Sequence, residues 1–147
     1  MYLKHIHARN YRAFGDGTSA PALDWELNPG LNILVGENDA GKTGIIDSIR
    51  QVLLTTSYEP IRLFEQDFHI HGGDRAHTLT IEATLCGLNP DQEASVLEWL
   101  TLEKDGSCSL VLHLEARHML LGATSKGVCG KSAYHSPIRS YAKQQIV

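Results

Sequence analysis

The chain has 147 residues, 42% of them hydrophobic and 20% charged, which suffices for one globular domain with a real core and falls short of two. Its longest apolar runs, such as Ile33-Leu34-Val35 and Met119-Leu120-Leu121, fall far below the ~18 residues of a membrane span, and Met1-Tyr2-Leu3-Lys4-His5 opens no apolar signal region, so no membrane attachment and a cytoplasmic location are expected. Of the net charge of −4, residues 1–118 hold nine basic and seventeen acidic side chains, whereas 119–147 hold Lys126, Lys131, Arg139 and Lys143 and no acid, so the acidic body argues against a broad nucleic-acid surface.

In chain order, Tyr2 to Arg9 reads as a strand, and Leu23, Trp25 and Leu27 alternate with Asp24 and Glu26 as in a half-buried second strand. Gly15-Asp16-Gly17 supplies turn chemistry between the two, predicting an antiparallel pair. Leu31 to Val35 is a short apolar run of the kind found in strands buried on both faces. From Lys42 the period becomes helical, with Ile45, Ile46, Ile49, Val52 and Leu53 on one side. Ile61 to His77 has no sustained period and reads as a loop region. Leu79, Ile81, Ala83 and Leu85 then alternate as a strand. Asn89 with Pro90 starts a short helix bearing Ala94, Leu97 and Leu100 on one side, and Asp105-Gly106 joins a hairpin over Leu100 to Ala116.

Gly36-Glu37-Asn38-Asp39-Ala40-Gly41-Lys42-Thr43 fits G-x-x-x-x-G-K-[ST], the phosphate-binding loop. Glycines at both ends let successive N–H groups turn inward, Lys42 supplies a mobile cation, and the Thr43 hydroxyl can ligate Mg²⁺. The helix that follows directs the positive end of its dipole at the same anion. A strand entering the loop and a helix leaving it is the context this motif requires, and the expected ligand is a nucleotide with Mg²⁺. Gly44, in the first helical turn, is unexplained by propensity because glycine there costs roughly 0.5–1 kcal/mol relative to alanine; clearance for the loop is one reason to place it.

Asn10-Tyr11-Arg12-Ala13-Phe14, the stretch Gly30 to Thr43, and Ile46-Asp47-Ser48-Ile49 together resemble the start of the SMC/RecF group of ABC-type ATPases. Within that group the chain is most similar to the OLD family of ATP-dependent endonucleases, involved in DNA repair or phage defence. The resemblance spans roughly 1–117. It implies an α/β P-loop NTPase fold, an ABC-ATPase-like first lobe with an antiparallel β segment, and ATP hydrolysis in the complete protein. It also implies that Tyr11 and Arg12 lie near the nucleotide, that Gln66 lies where such ATPases place a Mg²⁺-sensing glutamine, and that heads pair as homo-oligomers and act on DNA.

Three parts of the family pattern are missing from the sequence: an apolar strand ending in Asp-Glu, a Ser-Gly signature, and a TOPRIM nuclease centre. No catalytic residue is therefore assigned. Residues 1–117 are expected to form the N-terminal part of an ABC-type ATPase domain, and 118–147 a basic, acid-free tail, read as the aberrant end of a frameshifted or prematurely stopped product or as a short nucleic-acid-binding or flexible tail. The alternatives are a non-catalytic ATP-binding module and a small P-loop kinase or GTPase; the latter is disfavoured by the absence of N-K-x-D and of D-x-x-G after the helix.

The remaining candidates have plainer readings. His5 with His7, and His69 with His71 beside Asp67 and Asp74, are spaced to chelate but lack a third firm ligand, so surface histidines are expected. Cys86, Cys108 and Cys129 are widely spaced and read as reduced thiols. Trp25 and Trp99 read as core or interface anchors.

Overall fold

A computed structural model of the chain describes residues 1–56, 63–104 and 106–118. Five strands form one antiparallel sheet in the order β2-β1-β5-β7-β6, from β1 (Tyr2–Arg9), β2 (Leu23–Glu26), β5 (Thr78–Cys86), β6 (Leu100–Leu102) and β7 (Cys108–Arg117). A two-stranded hairpin, β3 (Ile70–His71) with β4 (Asp74–Arg75), stands apart from it. The helices are α1 (Lys42–Leu53) and α2 (Pro90–Ser95).

The register explains the core. Ile6 lies opposite Ala83, Ala8 opposite Ile81, and Ile81 opposite Leu114, so these period-two apolar positions stack on one face of the sheet. Ile6, Ala8, Leu79, Ile81, Ala83 and Leu114 are fully buried there, and α1 lies against β5 and β7 through Val52, with Ile45 and Ile49 packed on the same cluster. The other face is polar. Its row of directly opposed residues runs Asp24, His7, Glu82, His113 across β2, β1, β5 and β7.

The predicted β1–β2 pair, the strand at 79–85 and the hairpin around Gly106 are all present. In the turn region, Asp16 accepts hydrogen bonds from the Thr18 hydroxyl and from the Thr18, Ser19 and Ala20 amides. Those bonds hold its carboxyl well below the usual carboxylate range. The region read as a loop contains more order than its sequence suggests. Gly72 and Gly73 take φ of 61° and 94°, values that suit a tight hairpin turn and disfavour residues with a Cβ.

Two expectations need correction. Leu97 and Leu100 do not continue α2, which Asn89 and Gln92 open with a reciprocal capping box. Val96 leaves helical geometry at φ −125°, and Leu100 is drawn into pairing with Leu110. The second correction matters more: Leu31 to Val35 is neither a strand nor buried. Leu31, Ile33 and Val35 are 84%, 71% and 82% exposed, because no strand among the described residues lies beside them to receive their hydrogen bonds or side chains. Ile33→Thr should therefore change stability by no more than about 0.5 kcal/mol in urea unfolding. A loss of ~2 kcal/mol or more would mean that this segment is packed in solution.

Among the described residues no helix is long and apolar enough to cross a membrane. Cys86 and Cys108 are free thiols, and no group of three or more His, Cys, Asp or Glu is arranged to hold a metal ion among those residues. Trp25 packs at the edge of the core, whereas Trp99 is 53% exposed. Cys129 and the acid-free tail beyond His118 lie outside the described residues.

Candidate functional site

The loop Gly36 to Thr43 leads directly into α1, whose N-cap is Gly41 in the left-handed conformation, φ 84°. Glycine is suited to that angle and carries no side chain with which to cap the helix. The first turn contains no acidic residue and the cap makes no side-chain hydrogen bond. Lys42, Thr43 and Gly44 thus present the orphan N–H groups of a helix start with no anion from the first turn or the cap to meet them. The bend before Gly41 is made by Asp39, at φ 64°, with the Ala40 amide donating to the Glu37 carbonyl at 3.3 Å.

Gly36 is not among the residues with positive φ, so the expectation that both terminal glycines supply unusual backbone angles holds only for Gly41. A Cβ at Gly36 would meet Ala40 Cβ at 3.6 Å and Lys42 Cδ at 3.9 Å, both ordinary contacts. The lysine arches back over the loop, and its Nζ donates to the carbonyls of Gly36, at 2.7 Å, and of Glu37. Glu37, Asn38, Asp39 and Ala40 are exposed, as is Thr43 on the first turn of α1.

Next to this loop stands the turn formed by Asn10 to Phe14. Phe14 N–H donates to the Tyr11 carbonyl at 2.9 Å, and Tyr11 pairs with Phe68 through an isolated bridge. The Phe14 ring lies under the start of α1. A Cβ at Gly41 would sit 3.6 Å from Phe14 Cζ, and one at Gly44 only 3.3 Å from Phe14 Cε2. That accounts for the glycine which helix propensity left unexplained: Gly44 is buried and lets the helix settle on the aromatic ring. Gly44→Val should cost about 1–3 kcal/mol through overpacking. Gly44→Ala should stay within ~1 kcal/mol of the parent, because the gain in helix propensity offsets the tight contact. Equal stability of the two variants in chemical denaturation would contradict this packing.

Tyr11 is fully buried, and its hydroxyl has no hydrogen-bond partner among the described residues. Burial pushes its pKa up to about 12; the charge of Arg12 works against that rise, and those of Asp67 and Asp47 add to it. Arg12 adopts φ 50° and places its guanidinium 5.3 Å from the centroid of the Tyr11 ring. Its Nε donates to Asp67 Oδ1 at 2.8 Å, and its Nη1 donates to Asp47 Oδ2. Burial alone would lower the Arg12 pKa, but the bond to Asp67, the Tyr11 hydroxyl and the bond to Asp47 outweigh it and hold the group above its ordinary value. Asp67 is 1% exposed, and its other oxygen accepts from the Phe64 amide at 2.9 Å.

The geometry thus brings the loop, the start of α1 and the Asn10–Phe14 turn together. Gln66 lies beside Asp67 with its side chain exposed. Asp47 and Asp67, the partners of Arg12, were not legible in the sequence, since 35 and 55 residues separate them from Arg12. The pairing of Phe14 with Gly44 left one trace, a helical glycine without local justification.

A family profile described as an AAA domain matches residues 5–104. The RecF DNA replication and repair protein of Streptococcus uberis is 36% identical over 58 residues, covering 40% of this chain and 14% of that protein. RecF of Desulfitobacterium hafniense is 35% identical over 78 residues, covering 49% and 20%. The chromosome partition protein Smc of Fusobacterium nucleatum is 36% identical over 74 residues, covering 50% and 6%. The chain thus matches only a small fraction of the length of these curated relatives. A solved structure from work on ATP-driven dimerization and DNA-stimulated activation of SMC ATPases shares the fold, at TM-score 0.54 and 16% identity, covering 80% of this chain and 64% of that one. With the matched profile spanning most of the sequence, the chain belongs to the AAA domain family, and it is similar over part of its length to RecF and Smc.

Proposed function

We propose that this chain binds ATP·Mg²⁺ at the loop Gly36–Thr43, as the N-terminal ATPase segment of an OLD-like, ATP-dependent DNA endonuclease acting in DNA repair or phage defence. One observation carries the nucleotide reading: the uncapped, acid-free start of α1 faces the same loop over which the Lys42 ammonium is held by two carbonyls. Phosphate oxygens are better acceptors for that ammonium than neutral carbonyls, and they also satisfy the orphan N–H groups. The chemistry of the donor set therefore fits a polyphosphate. Bound Mg²⁺ would supply charge neutralisation between phosphates, with the Thr43 hydroxyl as its protein ligand.

In this reading Gly41 to Gly44 orient the phosphates through their amides, Lys42 bears on the terminal ones, and Phe14 fixes the height of the helix start beneath them. Tyr11 and Arg12 act from the adjoining turn. The OLD reading rests on the resemblance of 10–14, 30–43 and 46–49, and DNA is the substrate that resemblance suggests. Residues 1–117 form the N-terminal part of an ABC-type head, with a basic tail at 118–147. The bare apolar edge of Leu31, Ile33 and Val35 suits a further strand, which the rest of such a head supplies along with the Asp-Glu carboxylates and the signature. Pairing of two heads on nucleotide follows by analogy with the SMC ATPase that shares the fold.

The test is titration of the full chain with a fluorescent ATP analogue and Mg²⁺, with phosphate release followed in the same samples. Saturable binding without release is expected. Sustained release would identify a working enzyme with a carboxylate among these residues, and absence of binding by folded protein would refute the reading.

A further inference from the structure

The Asn10–Phe14 turn is wedged between the start of α1 and segment 63–69. On one side Phe14 supports Gly41 and Gly44, and Arg12 Nη1 reaches Asp47 in the second turn of α1. On the other side Arg12 Nε binds Asp67, the Arg12 amide donates to the Asp67 carbonyl at 2.8 Å, and His69 Nδ1 lies 2.7 Å from the Arg12 carbonyl. The Asp67 carboxylate divides its oxygens between Arg12 and the Phe64 amide, so the same group closes the turn from Phe64 to Asp67. Arg12 is held at φ 50°, a left-handed conformation that a residue with a side chain keeps only when its surroundings over-determine it.

We infer that Asp47 and Asp67 are positioning residues: through Arg12 they join the helix that starts at the phosphate-binding loop to segment 63–69, so that occupation of the loop tightens that segment. The inference rests on the nucleotide-binding reading above. Asp47 sits five residues beyond Lys42, about 7.5 Å along the helix axis, so a shift of α1 on phosphate is delivered to the guanidinium undiminished by any flexible link. Asp67, being 1% exposed, cannot exchange Arg12 for water without burying an unpaired carboxylate, so segment 63–69 follows the arginine. A residue needed only for folding would stabilise this region equally with and without ligand.

Amide hydrogen exchange on the full chain, with and without Mg·ATP, separates the two roles. In the parent, Mg·ATP should slow exchange at 63–69 by about tenfold, beside slowing at the loop. Asp47→Asn should bind Mg·ATP within about threefold of the parent and lose the ligand-dependent slowing at 63–69, and Asp47→Glu should restore part of it. Should Asp47→Asn not fold, Asp67→Asn carries the same test from the other end of the bridge, since the amide still accepts from Phe64 N–H while it loses the charge that holds the guanidinium. Retained slowing at 63–69 in a variant that lacks the bridge overturns the inference, as does binding by the parent that protects the loop alone. Failure of the parent to bind Mg·ATP at all refutes the nucleotide reading and the inference with it.

Discussion

Replacing Lys42 with alanine is expected to weaken binding of an ATP analogue by roughly 10- to 150-fold, the equivalent of about 1.5–3 kcal/mol for hydrogen bonds involving a charged group. The ammonium already lies over the loop, held by the Gly36 and Glu37 carbonyls, so it reaches phosphate by exchanging neutral acceptors for anionic ones. Fold stability should change little. The lysine sits at the protein surface and makes no ion pair in the described residues, and the carbonyls it leaves are solvent-accessible. Unfolding midpoints of parent and variant should therefore agree while affinities diverge. A variant that binds as tightly as the parent would place the nucleotide elsewhere, and one that loses stability in proportion to affinity would make the lysine a structural latch.

Leu114→Ala tests the other half of the architecture and should be among the most damaging single changes to the fold. Leu114 is fully buried in β7, directly opposite Ile81 of β5, in the cluster that α1 packs on. Truncation removes the transfer free energy of the lost methyls and leaves a cavity that a sheet flanked by Ile81 and Val52 cannot collapse, costing about 2–5 kcal/mol. For a domain whose total stability is of the order of 5–15 kcal/mol, that is a large fraction, and the thermal midpoint should fall by roughly 10 °C or more. The loop should suffer as well, since α1 rests on this part of the sheet. Urea unfolding with an unchanged slope and a loss below ~1 kcal/mol would show that β7 is not packed as described.

The contrast between Leu114 and Ile33 shows how far the sequence could be read. Both lie in segments whose sequence reads as a strand, Leu114 in the half-exposed second arm of a hairpin and Ile33 in a run of the kind buried on both faces. Leu114 is fully buried because β5 stands beside β7 with matching register, whereas Ile33 is 71% exposed because no described strand stands beside it. Burial is a property of the pair, and a single segment does not reveal whether its partner is present. Leu100 carried two readings, the helical face after Asn89 and the first strand of the hairpin, and pairing with Leu110 decided for the strand.

The candidate site divides in a similar way. Eight contiguous residues announced the phosphate-binding loop because its chemistry is local: a left-handed helix cap, a cation and a hydroxyl at fixed offsets along one turn. The left-handed angle that precedes the cap fell at Asp39, and Gly36 takes none; a Cβ there would meet Ala40 and Lys42 at ordinary contact distances.

By itself, then, the sequence determined the elements whose cause is short-ranged: the alternating strands β1, β5 and β7, the amphipathic α1, the Asn89 cap of α2, the hairpin turn at Gly106, and the loop with its lysine. Tertiary structure decided what depends on distant neighbours. It brought Phe14 beneath Gly44, joined Arg12 to Asp47 and Asp67 across 35 and 55 residues, buried Tyr11, and left Leu31, Ile33 and Val35 exposed. The reason is physical: helix caps and side-chain periodicity act within a few residues, whereas burial and ion pairing require surfaces that only the folded chain brings together.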